Sequence, residues 1–144
     1  MQRLALATAV LVLGAAPAAL AVEQTDPGRR AELAKDFAPF DALQSQGWQG
    51  APALYRTTAA GTPDAVRFEL KPGAYMIVAK CHCDQMEATL VAPDGSEPRP
   101  LRSSAQAALF SLDVSAPGTY LTGVDMYACQ AKSCDFAVKV YRKK

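Results

Sequence analysis

One histidine, one tryptophan and four cysteines in 144 residues leave little material for chemistry, and each scarcity excludes a class of function. Hydrolases of the Ser-His-Asp or Cys-His kind need a base, an orienting group and an oxyanion hole. His82 is the only histidine, and no nucleophile-elbow motif accompanies it. No Gly-x-Gly-x-x-Gly or Walker loop is present to cradle a phosphate. The cysteines never take the Cys-x-x-Cys spacing of a thioredoxin-like oxidoreductase. The net charge is only +1, so nothing electrostatic draws the chain to nucleic acid or to an anionic membrane. The 14 acidic residues are scattered, which gives no paired-carboxylate site that can be read from sequence. The expectation is a protein that is not an enzyme and carries no cofactor.

The first residues point to export. Met1-Gln2-Arg3 is a short basic start, Leu4 to Leu20 is nearly all Ala, Leu and Val, and Ala19-Leu20-Ala21 has the small-x-small pattern of a signal-peptidase site. Residues 1–21 therefore read as a cleavable signal peptide, cut after Ala21, with a periplasmic or secreted product. Gly14 and Pro17 break the apolar run, which argues against a permanent span, and no Cys stands at the cleavage point to accept a lipid. No membrane insertion of the mature chain is expected. About 123 residues remain, enough for one domain with a real core.

Residues 22–50 read as an N-terminal helical segment and linker. Asp26 can cap, Pro27 suits a first turn, and Leu33, Phe37 and Phe40 recur at spacings of four and three. Pro39 should end or kink this helix, and Gly47 to Pro52 reads as the linker. Residues 51–144 change texture. Val66 to Leu70 alternates strictly, Lys71-Pro72-Gly73 is a turn, and Ala74 to Lys80 is a second strand. Glu87 to Ala92, Ala108 to Val114, Thr119 to Tyr127 and Asp135 to Tyr141 follow, with Pro93-Asp94-Gly95-Ser96 as a further turn. Short strands punctuated by Pro-Gly turns predict an all-β, jelly-roll-like antiparallel β-sandwich of about 7–8 strands behind a short helix. The helix is expected to cover one sheet.

"FELKPGAY" (68–75) and "FSLDVSAPGTY" (110–120) echo one another, and each leads through a strand to a cysteine pair. Both pairs, Cys81/Cys83 and Cys129/Cys134, are expected at one end of the sandwich. The stretches "VRFELKPGAYMIVAK", "ATLVAPDG" and "FSLDVSAPGTYLTGV" together resemble the bacterial pre-peptidase C-terminal domain. The likeness runs over residues 64 to 142 and is closest to small exported members with cysteine pairs like "KCHCD" and "MYACQAKSC". It implies a jelly-roll-like sandwich, often secreted alongside hydrolases and used for binding or secretion. Some of that family hold calcium through acidic residues near the first strand turn. Here Gln85 and Ala88 interrupt Asp84 and Glu87, so no metal is expected.

Four cysteines in a short exported chain indicate two disulfides, with three connectivities open. Cys-x-Cys and Cys-x4-Cys are not the usual zinc-knuckle spacings. In an extended strand, Cβ atoms two positions apart are about 6.5–7 Å from each other, against roughly 3.8 Å in a disulfide. Cys81–Cys83 then needs a tight turn, so crossed bridges to Cys129 and Cys134 are favoured, although a local Cys129–Cys134 link is feasible. The alternative from another class is a periplasmic copper-handling protein using Cys81, His82 and Cys83. Strand parity, which turns His82 away from both cysteines, counts against it. Trp48, Tyr55, Tyr75, Tyr120, Tyr127 and Tyr141 could line a sugar or peptide groove or fill the core. The functional expectation is a non-catalytic binding or accessory module whose partner is a protein or a cell-envelope glycan.

Overall fold

A computed structural model describes residues 26–130 and 133–144. The leader expected at residues 1–21 lies outside them. The order of elements is α1 (Pro27–Lys35), α2 (Ala38–Asp41), a 3-10 turn (Ala42–Gln46), then β1 (Trp48–Gly50), β2 (Leu54–Ala59), β3 (Asp64–Leu70), β4 (Gly73–His82), β5 (Gln85–Val91), β6 (Arg102–Ser104), β7 (Ala107–Val114), β8 (Gly118–Ala128) and β9 (Ser133–Lys143).

The strands form two antiparallel sheets. The larger has the order β1-β9-β4-β7-β6, with β2 also on β9; the smaller is β3-β8-β5. From β2 to β5, and again from β7 to β9, successive strands alternate between sheets. That wrapping is the jelly-roll arrangement. All six strands expected from alternation are present, while β1, β2 and β6 are additional. Trp48–Gly50, expected as linker, is a strand paired with Tyr141–Lys143. It was hidden because three residues are too few to display a period of two.

Alternation dictates the core. From β4, Tyr75, Ile77, Ala79 and Cys81 face the smaller sheet, and from β9 Cys134, Phe136 and Val138 do the same; Phe110, Leu90, Val124 and Met126 meet them. The opposite face of β4 and β9 carries Val78, Ala137 and Tyr141, which are also buried, under Leu33 and Phe37. The helical segment thus covers the larger sheet and completes a second core. Asp26 caps α1, its Oδ1 accepting from the N–H groups of Gly28 (2.8 Å) and Arg29 (3.3 Å). The helix stops at Lys35 and restarts at Ala38 with Pro39 in the new first turn. Pro39 has no N–H to continue the ladder, so the break falls where its position predicts.

Asp41 locks this cover to β9. Its Oδ1 accepts from Lys139 Nζ (2.6 Å) and from the Tyr141 hydroxyl (2.8 Å). Burial opposes ionisation of Asp41, but the two hydrogen bonds and the Lys139 charge outweigh it and hold the carboxyl below its usual range. Burial, with the Asp41 hydrogen bond second, raises the Tyr141 phenol well above its ordinary value. A lowered carboxyl stabilises the fold above its unfolded value, about 4, and loses that contribution as pH falls further. A raised phenol stabilises it below about 10 and loses that contribution at higher pH. Stability followed by urea titration across pH should therefore fall at both extremes. Asp41→Asn should flatten the acid limb, and an acid limb unchanged in this variant would refute the role of Asp41.

Candidate functional site

The cysteine-rich corner occupies one end of the sandwich. β4 leaves the larger sheet at His82 and β5 enters the smaller one at Gln85, so only Cys83 and Asp84 make the crossing. A few residues away β8 crosses back into β9, and the Asp84 N–H donates to the Ala128 carbonyl at 2.7 Å. Both cysteine pairs therefore do share an end. Their pairing corrects the expectation of crossed bridges: Cys81 bonds Cys83 and Cys129 bonds Cys134, with Cα separations of 5.3 and 5.9 Å. The extended-strand distance does not apply at Cys83, because the chain is already turning between sheets there. Each bridge closes a short loop, worth about 2 kcal/mol or less in the chain-entropy model, not the 4 or so of a crossed link.

His82 faces the other way. Its Nε2 lies 3.3 Å from Asp36 Oδ2, at the end of α1. The three-ligand grip of Cys81, His82 and Cys83 is not assembled, since both sulfurs are bonded to each other and the imidazole is turned away. Among the described residues no three His, Cys, Asp or Glu side chains are grouped to hold a metal. Beside His82 in register, Asp135 is only 4 % exposed; it accepts from the Thr57 hydroxyl (2.6 Å) and pairs with Arg29 (3.3 Å). Those groups fasten α1 to the sheet.

The aromatic residues divide clearly. Tyr75, Tyr120 and Tyr141 are buried, and Trp48 and Tyr55 pack under the helical cover. Tyr127 stands 52 % exposed on the outer face of the smaller sheet. There it borders a groove of about 610 Å³ shared with Arg67, Glu87, Thr89, Leu121, Gly123 and Asp125. Register explains the shape. Gly123, in the central strand β8, lies between Ala65 of β3 and Thr89 of β5, so a row of small residues forms the floor. On one side rise Arg67 and Leu121; on the other Glu87 lies directly across from Asp125. The Tyr127 hydroxyl donates to Glu87 Oε2 at 2.7 Å, and that bond, with some burial, raises the phenol above its ordinary value. Asp125 Oδ1 is buried and receives no hydrogen bond, whereas the Arg67 side chain has no partner among the described residues.

Two features of this face work against the fold. A mid-strand glycine costs about 0.5–1 kcal/mol relative to alanine. Packing does not demand it, for a Cβ on Gly123 would meet only the Thr89 carbonyl oxygen, at 3.9 Å. Like charges directly opposite across a strand pair are also unfavourable. Local choices that oppose stability tend to gather where a surface has a task. The chain matches no family model and no curated protein, so the site rests on this geometry. No helix among the described residues is long and apolar enough to cross a membrane.

Proposed function

We propose that this protein is an exported, non-catalytic binding module that takes a cell-envelope glycan on the outer face of β3-β8-β5. The observation that carries the reading is the side-chain-free notch at Gly123, walled by Tyr127, Glu87, Asp125 and Arg67. A sugar needs a flat apolar surface beside donors and acceptors for its hydroxyls, and these groups supply both. Tyr127 offers the ring, Glu87 and Asp125 accept, and Arg67 donates. The open face supports the reading of a binding surface. Two disulfides fit an oxidising compartment, and with the leader-like residues 1–21 they support export. The resemblance to the pre-peptidase C-terminal domain supports a binding role.

Gly123→Val separates stability from function. It should raise stability by about 0.5–1 kcal/mol, because a β-branched residue suits the strand and its Cβ meets only the Thr89 carbonyl oxygen, at 3.9 Å. It should also weaken binding of soluble envelope-glycan fragments at least tenfold, measured by calorimetry, with Tyr127→Ala doing the same. Undiminished binding by both variants would remove this face as the site.

A further inference from the structure

A second opening lies where the two sheets part. β9 has two partners on one edge, β1 at its end and β2 further back, and residues 51–53 run between them. Across that gap is β3, the edge of the other sheet. The cleft between them, of about 620 Å³, is lined by Leu54, Phe68, Leu70, Tyr75, Val138 and Val140. Leu54, Phe68 and Val140 belong to the inter-sheet core yet are only partly buried. A sealed sandwich would hide them, so the cleft leads from solvent into the core.

Its rim is selective. Arg67 and Arg142 stand there with Gln49 and a single carboxylate, Glu69. Glu69 is engaged on the neighbouring strand, where the Thr119 hydroxyl donates to it. Arg142 donates to the Pro72 carbonyl at 2.9 Å through Nη2 and lies over the Tyr75 ring, which leaves other guanidinium donors at the mouth. The Arg67 side chain has no partner among the described residues. A largely apolar slot whose lining also includes the Arg67 and Arg142 side chains complements a molecule with an alkyl chain and an anionic head.

We propose that this cleft binds the alkyl chain of a single-chain anionic amphiphile, with its head group at Arg67 and Arg142. The chain lies between Leu54, Phe68 and Val140, and the monomer is recognised, not a bilayer surface. This inference shares Arg67 with the glycan reading, but its apolar slot lies in a separate cleft.

The test titrates the mature protein with dodecyl phosphate below its micelle-forming concentration. One-to-one saturation is expected, at least tenfold tighter than for dodecyl maltoside and without saturation by inorganic phosphate. Arg67→Gln should weaken binding about tenfold, and Val140→Trp, which fills the slot, should abolish it. Gly123→Val, on the outer face, should leave this titration unchanged, so that the two readings fail separately. If Val140→Trp does not fold, nuclear magnetic resonance of the unaltered protein decides: shifts should centre on Leu54, Phe68 and Val140. The proposal is overturned by absence of saturation, by shifts centred elsewhere, by a folded Val140→Trp that binds normally, or by equal affinity for the neutral amphiphile. Concentration-dependent dimerisation that Val140→Trp abolishes would make a second copy the occupant. Flotation with anionic vesicles without monomer binding would make it a bilayer, and either result overturns the proposal too.

Discussion

Phe136→Ala should destabilise the protein by about 3–5 kcal/mol, read as a lower urea midpoint with the disulfides kept oxidised. Phe136 is fully buried in β9, opposite Cys81 of β4 and Arg56 of β2. Removing its ring deletes the transfer energy of the lost atoms and leaves a cavity in a place that cannot collapse. β9 is held along most of its length between β4 on one side and β1 and β2 on the other, and the two cystines pin the adjacent corner. A loss of this size is a large share of the roughly 5–15 kcal/mol that stabilises a typical domain. The slope of the transition should stay the same, because the native sandwich still buries the same chain. Leu101→Ala, at a side chain 66 % exposed, should change stability by less than about 0.5 kcal/mol. Similar losses at both positions would mean that the inter-sheet core is not what holds the fold.

How much of this was legible in the sequence depended on whether a residue's setting was local. Val66 to Leu70 and Thr119 to Tyr127 alternate because one face of each is buried, and periodicity reports that directly. The Asp26 cap and the Pro39 break are equally local. Pairing of the cysteines was not, because it turned on where β4 ends. An extended Cys81–His82–Cys83 forbids the short bridge, and a chain leaving one sheet for the other permits it. Nothing in residues 80 to 84 states which of the two applies.

The groove was half visible. Leu121, Gly123, Asp125 and Tyr127 share one face of β8 by parity alone, and a glycine in the middle of that series is a signal the alternation carries. That Glu87 stands opposite Asp125, and that Ala65 and Thr89 flank Gly123, follows only from register across strands distant in sequence. The apolar cleft was invisible for a similar reason. It exists because β1 and β2 both pair with β9 but are separated by residues 51–53, which overlap the Gly47–Pro52 stretch that sequence alone reads as linker.

Phe37→Ala should have the second large effect, and its form is as informative as its size. Phe37 is 1 % exposed between α1 and α2, and it packs with Leu33 against Val78, Ala137 and Tyr141. Truncating a buried ring of this kind costs about 3–5 kcal/mol. Beyond that packing, the links that fasten the helical cover include Asp41 to Lys139 and Tyr141, Asp36 to His82, Arg29 to Asp135, and the cations of Arg30 over Tyr55 and Lys80 over Phe40. The sandwich beneath it has its own core between the sheets and its own two cystines. The cover can therefore open while the strands remain paired, and the loss should be local. Native-state hydrogen exchange should show α1 amides losing at least about a hundredfold of their protection, since each 1.4 kcal/mol is a factor of ten. Amides of β8, in the smaller sheet on the far side of the sandwich from the helical cover, should change far less. Equal loss in α1 and β8 would instead show that Tyr141 and Val78, once uncovered, take β9 and β4 down with them, and that the second core is inseparable from the first.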